Sequence, residues 1–262
     1  MAHPEVRRYV NRSVTGDGET WPLDWFAERW NEHRFGKVLV PGCGAGELER
    51  DLFAKGIPDH VEAFDISEEQ VAEARRRATV AGLDEKIVYR VASFDELELE
   101  TGGYGGCFFH QSLHHLPDPE RALRRVARWL DSSGLLYLDE YVGPSQRQWN
   151  RRSFAMARSV YRLLPEESRL HGELEVPGLL ARLEDPSEAI ASDHVLPAVE
   201  RYFEILERRD YRGFLLSPIW NQIREHDRWA GLLIEIEEAV GNLHPTWHTV
   251  IVARPKTSAV ET

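Results

Sequence analysis

The sequence predicts an α/β fold: a mostly parallel sheet with helices on both faces and a final antiparallel strand, with a helical cap at the N-terminus and an insertion late in the chain. Three observations predict it. Apolar runs alternate with amphipathic stretches through the middle of the chain, and a glycine-rich turn joins the first run to the stretch after it. The 262 residues also suffice for one large core, since single cores stop growing at about 250–300 residues. Strand and helix alternating at this spacing build βαβ units, which pair their strands in parallel.

The elements follow in order. Residues 1–36 form the cap, with Trp21, Trp25, Phe26 and Trp30 at near-helical spacing. Two uses of these rings are open: burial of one helix face, or a wall for an acceptor. Residues 37–40 read as a strand and 47–55 as a helix, followed by a strand at 61–64 and a helix at 68–81. Ser67 with Gln70 is a capping-box pattern, Val71, Ala74, Ala78 and Ala81 make one apolar stripe, and Gly82 ends it. Residues 87–91, 107–109 and 135–139 are the next strands. Between the last two, Asp118 precedes Pro119 as cap and first helical residue, and Ala122, Leu123, Val126, Ala127 and Leu130 share a face. The core thus spans 37–140. Residues 141–200 read as a helical insertion or lid. Residues 201–262 complete the core with strands at 203–208 and 247–253, joined by a helix from about 218 to 240.

Charge and composition narrow the function. There are 32 Lys and Arg against 44 Asp and Glu, a net charge of −12, which opposes a nucleic-acid backbone as partner. No stretch approaches the roughly 18–20 apolar residues of a membrane span, and MAHPEVRRYVNRS lacks the apolar segment of a secretory signal. A cytoplasmic protein acting on a small molecule, away from membranes, is expected; its oligomeric state is not legible. Cys43 and Cys107 are the only cysteines, too few for a disulfide framework.

The chemistry is concentrated in KVLVPGCGAGELERDLF, where a β-rich run ends in Gly42, Gly44 and Gly46, with Cys43 and Ala45 between them, and passes into a helix. Glycines there admit a tight turn and close approach to a ligand, and the helix start offers free N–H groups. An ordinary strand-to-helix turn would look the same. The second strand, however, ends in Asp65, 19 residues after Gly46, where a carboxylate accepts the hydroxyls of an adenosine ribose; a helix cap is its plainer role. Dinucleotide sites use G-x-G-x-x-G, whereas this spacing is G-x-G-x-G with Glu47 at the place of the last glycine. A carboxylate there repels a pyrophosphate but tolerates a sulfonium. Methyl transfer is therefore favoured over an NAD-dependent oxidoreductase.

VLVPGCGAG, AFDIS, YRVASFDEL and GCFFHQSLHHLPDPERALRRVARWLDSSGLLYLDE together resemble the class I S-adenosylmethionine-dependent methyltransferases over residues 37–140, and the flanks resemble bacterial members that act on glycans or natural products. The resemblance implies a Rossmann-like core, S-adenosylmethionine as cofactor and S-adenosylhomocysteine as product. It implies that the loop from Gly42 to Gly46 lines the methionine moiety and Asp65 the ribose, that Ile66, Ser93 and Phe94 line the adenine, and that His110 and Gln111 lie beside the sulfonium. The chain departs from the family at Val40 and Ser93, where an acidic residue and an Asp are frequent. That departure keeps open a second class of function, a partner or regulator that binds S-adenosylmethionine without transferring the methyl.

In-line methyl transfer demands chiefly alignment, so a general base is optional. For a hydroxyl acceptor, His115 and Glu140 are the candidate bases, because both lie at the carboxyl ends of strands. The O-methylation of a natural product or glycan is the expected reaction. No metal is expected: His110 and His114 are four apart and adjoin His115, but they follow a strand, and no nearby Cys or carboxylate completes a set. Cys43 reads as a small filler residue rather than a nucleophile. Arg147, Arg151, Arg152, Arg158 and Arg162 read as a solvated helix face or as a binder of an acidic acceptor.

Overall fold

The computed structural model describes residues 3–145, 148, 151–175 and 188–257. Its centre is a seven-stranded sheet of β1 (Lys37–Pro41), β2 (His60–Asp65), β3 (Ile87–Val91), β4 (Tyr104–His110), β5 (Leu130–Tyr141), β6 (Phe203–Arg212) and β7 (His248–Pro255). The order is β3-β2-β1-β4-β5-β7-β6, with β1 to β5 all parallel. The last strand, β7, inserts antiparallel between β5 and β6, so it runs as the sequence predicts and lies inside the sheet. Because β1 is flanked by β2 on one side and β4 on the other, the strand order reverses there. The crevice beyond the carboxyl ends of β1 and β4 is where open α/β sheets bind ligands.

Helices cover both faces. Ahead of the sheet come α1 (Pro4–Thr15) and α2 (Pro22–Arg29); α3 (Glu47–Ala54), α4 (Glu68–Val80) and α5 (Pro119–Trp129) are the crossovers; α6 (Arg151–Leu163) and α7 (Val195–Tyr202) belong to the insertion; and α8 (Leu216–Trp220) and α9 (His226–Val240) precede β7. The predicted caps form: Ser67 Oγ accepts from Gln70 N at 3.2 Å, and Asp118 Oδ1 from Arg121 N at 2.9 Å. The reciprocal arm of the first box is replaced, since Ser67 N donates to Asp65 Oδ1 instead.

Period-two alternation along the strands sorts the core into two layers. Leu39, Phe109, Leu136 and Leu138 face α5 and α7, packing on Leu123, Val126 and Val199. Val38, Val40, Phe108 and Tyr137 face the other way, onto Leu52, Val71, Ala74 and Phe26. A third cluster joins Val6 and Tyr9 of α1 to Tyr161 of α6, Phe214, Leu233 of α9 and Trp247. The N-terminal cap and the insertion thus share one apolar cluster, joined through α8 and α9.

Two expectations change. Strands β4, β5 and β6 are longer than their apolar runs, because ladder pairing carries polar residues such as Glu140 and Asp210 into the sheet. The helix expected over 218–240 is broken into α8 and α9. The chain between them pairs sideways with residues 168–170, through an Arg169–Ile223 bridge and Arg224 N donating to Ser168 O at 2.8 Å, and Glu225 enters α9 at φ 54°. Of the four rings singled out in the cap, Phe26 is fully buried and Trp21 half-exposed. Arg147 lies outside the described residues. No helix among the described residues is long and apolar enough to cross a membrane.

Candidate active site

The glycine turn closes onto the end of β2. Gly42 N and Cys43 N both donate to Phe64 O, at 2.8 and 3.0 Å, and Gly46 N donates to Cys43 O at 2.9 Å. Gly42 and Gly46 hold φ of 69° and 74°, and neither has room for a side chain. A Cβ at Gly42 would stand 2.6 Å from Ser112 Cβ, and one at Gly46 2.5 Å from the Tyr89 hydroxyl. Asp65 is fixed by two backbone donors, Gly44 N to Oδ2 and Ser67 N to Oδ1, each at 2.9 Å. Each carboxylate oxygen keeps a lone pair beyond those bonds. Burial pushes the Cys43 thiol up, so it stays protonated and lies buried within the turn.

A cavity of about 320 Å³ opens beside this turn. Of the residues expected to hold a cofactor, Gly42, Asp65, Ile66, Phe94 and Gln111 line it; Cys43, Gly44, Ala45 and Gly46 do not, and Ser93 turns its N–H to Glu96. Phe64, Ala92, Phe109 and Ser112 line it as well. Sequence reasoning missed these four, although their places at strand ends next to the motifs were a usable signal.

The segment after β4 is held by β5. Gln111, at φ 52°, donates N–H to Asp139 O at 2.9 Å, and its Nε2 donates to the same oxygen at 3.0 Å. Glu140 is fully buried, and both of its oxygens are engaged: Oε1 accepts from Ser112 N and Leu113 N at 2.7 and 2.8 Å, and Oε2 from His114 Nδ1 at 2.7 Å. Its geometry is that of a group that orients the 112–115 turn. Its neighbour His115 does reach the cavity wall, with Nε2 3.9 Å from Glu188 Oε2. His114, His115 and Glu188 bring ligand-type atoms within 4.8 Å of one another, so the fold supplies the carboxylate that the local sequence lacked.

His110, expected beside the sulfonium, lines a second cavity, of about 330 Å³, which Gln111 lines as well. The cause is the strand pleat, which sends consecutive residues to opposite sides, reinforced by the positive φ at Gln111. Within this cavity Asp139 is buried, accepts from the Tyr211 hydroxyl at 2.6 Å, and has Oδ2 3.7 Å from His110 Nε2. Burial raises the Asp139 carboxyl, while His110 and the tyrosine bond pull it back. His248 stacks on Tyr211 at 5.2 Å, and burial pushes its imidazole down to about 3, so it is neutral. Asp139, Tyr211 and His248 come from elements far apart in sequence, and no local motif marks them.

Residues 39–138 match the family described as a methyltransferase domain. The chain is 32% identical over 112 residues to a 27-O-demethylrifamycin SV methyltransferase of Amycolatopsis mediterranei, covering 40% of this chain and 39% of that one. It is 31% identical over 152 residues to a ubiquinone biosynthesis O-methyltransferase of Xanthomonas oryzae pv. oryzae, covering 55% and 59%. It thus spans about two-fifths to three-fifths of the length of these relatives. Among solved structures it is similar to a geranyl diphosphate C-methyltransferase from Streptomyces coelicolor A3(2), with a TM-score of 0.57 at 12% identity over 94% of this chain and 89% of that one. That likeness is one of fold.

Proposed function

We propose that the protein, whose residues 39–138 match the methyltransferase-domain family, is a class I S-adenosylmethionine-dependent methyltransferase that transfers a methyl group from S-adenosylmethionine to an oxygen of a small molecule, a natural product or glycan. The observation that carries this reading is the glycine turn clasped to Asp65 at the switch point of the sheet. Residues and group fit: Asp65 keeps acceptor capacity for the ribose hydroxyls, Ile66 and Phe94 offer apolar surface for the adenine, and Gly42 and Gln111 line the space for the methionine end. S-adenosylmethionine, when bound, supplies a methyl carbon on a positively charged sulfur. The chain's own part is to align and to keep water out, through the apolar wall of Phe64, Phe109 and Leu116. The name of the ubiquinone relative supports oxygen as the accepting atom.

Calorimetric titration with S-adenosylhomocysteine, NAD and NADH in turn tests the reading. Binding of the homocysteine compound alone is expected, and Asp65→Ala weakens it by about 1–3 kcal/mol, the scale for losing hydrogen bonds to a charged group. Binding of NAD in its place overturns the proposal. Tight binding with no turnover across a broad acceptor panel favours the non-catalytic partner instead.

A further inference from the structure

The geometry points to the second cavity, beneath α1, as the acceptor site, to a hydroxyaryl compound as the acceptor, and to His110 as the base that takes its proton while Asp139 orients the ring. This rests on the methyl-transfer reading and extends it to residues outside the cofactor cavity. The cavity has one polar end, and its other walls are apolar and aromatic apart from Arg7 and Asn11, whose Nδ2 donates to Gly18 O. Val6, Val10 and Pro22 form one side, and Trp21 and the stacked Tyr211–His248 pair supply flat surfaces for a ring. The Arg7 guanidinium stands 5.2 Å over the Trp21 ring. The polar end is His110, Gln111 and Asp139, and Gln111 also lines the cofactor cavity, so the two spaces meet where a methyl group must cross.

The His110 side chain is 55% exposed, and its Nε2 stands 3.7 Å from Asp139 Oδ2, an ion-pair separation that shortens to a hydrogen bond when the acceptor is engaged. With that nitrogen turned to the carboxylate, Nδ1 is left for the acceptor. Asp139 is held in place by the Tyr211 hydroxyl. A base, a carboxylate that orients it, and a third group that fixes the carboxylate are the arrangement that proton abstraction needs. The step balances. The acceptor O–H gives its proton to Nδ1, and the oxygen pair forms the bond to the methyl carbon. The C–S bonding pair stays on sulfur, giving the thioether; the imidazolium, paired with Asp139, then loses its proton to solvent.

The test uses the full chain and a panel of phenols, aliphatic alcohols and amines, with two readouts: calorimetric binding to the protein–S-adenosylhomocysteine complex, and kcat. Phenols are expected to bind and to be methylated in preference to the other two classes. His110→Gln is expected to leave S-adenosylhomocysteine affinity within about two-fold and to lower kcat for an ordinary phenol about 10²–10³-fold, the range for losing a general base. With an acidic phenol, already ionised in the assay, the loss shrinks below about ten-fold, which a merely structural defect would not do. Tyr211→Phe, a gentler change than any at Asp139, lowers kcat for ordinary phenols about ten-fold by freeing the carboxylate. Undiminished phenol turnover by His110→Gln, an equal loss for ordinary and acidic phenols, turnover confined to alcohols or amines, or S-adenosylhomocysteine binding with no phenol bound to the complex each overturns the proposal. Failure of the wild-type chain to bind S-adenosylhomocysteine overturns the methyl-transfer reading itself.

Discussion

Glu49 is a charged residue type with little to hold its charge: its own backbone N–H and Arg50 lower its carboxyl by less than burial raises it. It lies on α3 with no exposed surface, and neither carboxyl oxygen has a hydrogen-bond partner among the described residues. Burial pushes its carboxyl from 4.5 up to about 8, and Asp65 pushes the same way. Glu237 shows the contrast: equally buried, it accepts from Gly213, Leu215 and Leu216 N–H groups, and it rises only to about 7. The folded chain therefore holds a proton on Glu49 that the unfolded chain releases above about pH 4.5. Stability from this source is full below that pH, falls as pH rises, and is gone above about 8. Glu49→Gln cannot lose the proton. Urea denaturation at pH 5, 7 and 9 is expected to find the variant within about 1 kcal/mol of wild type at pH 5 and more stable by at least about 1 kcal/mol at pH 9. Glu237 contributes the same slope to both proteins, so the difference is the quantity to read, and parallel curves would refute the assignment. The sequence showed Glu49 only as one more acid in a helix. Gly42, Gly46 and Asp65 were legible because their roles are carried by backbone conformation and position within one βα unit.

The element that decides the geometry between the cavities is the short turn over 112–115, which has no strand or long helix to stiffen it. Its rigidity comes from Glu140, which binds two amides and a histidine, and from Ser112 Oγ donating to Pro41 O at 2.9 Å. Glu140→Ala strands those donors and is expected to cost about 2–4 kcal/mol in denaturant unfolding. Glu140→Gln keeps one accepting oxygen, and is expected to cost less and to retain measurable turnover. Turnover abolished in a Glu140→Gln protein of wild-type stability would restore Glu140 as the base. From the sequence, Glu140 could be placed at the tip of a strand, but the partners of its carboxylate could not, because they belong to a different loop. The break between α8 and α9 was hidden for the same reason: apolar periodicity reports which face is buried, whereas the pairing of Ile223 with Arg169 is a long-range contact.

At the scale of the molecule, the parallel half of the sheet was readable from its alternating runs. The position of β7 was not, since strand order depends on which edge is free when the chain returns. The acceptor-side cavity draws on α1, the start of α2, β4, β5, β6 and β7. Most of its lining residues lie outside the stretch 39–138 that matches the methyltransferase domain, so likeness through the core says little about the acceptor. Gln111 lines both cavities and is held against Asp139 in a left-handed backbone conformation. A side chain shared by two cavities cannot respond to an occupant of one without altering the other, and the two affinities are then linked by a single coupling free energy. Titrating a phenol with and without saturating S-adenosylhomocysteine, and the homocysteine compound with and without saturating phenol, is expected to give the same affinity ratio, about five-fold or more from unity. Gln111→Ala, which removes the shared side chain and its Nε2 bond to Asp139 O, is expected to bring that ratio toward one. The side chain that donor and acceptor share is thereby also the means by which each reports its presence to the other.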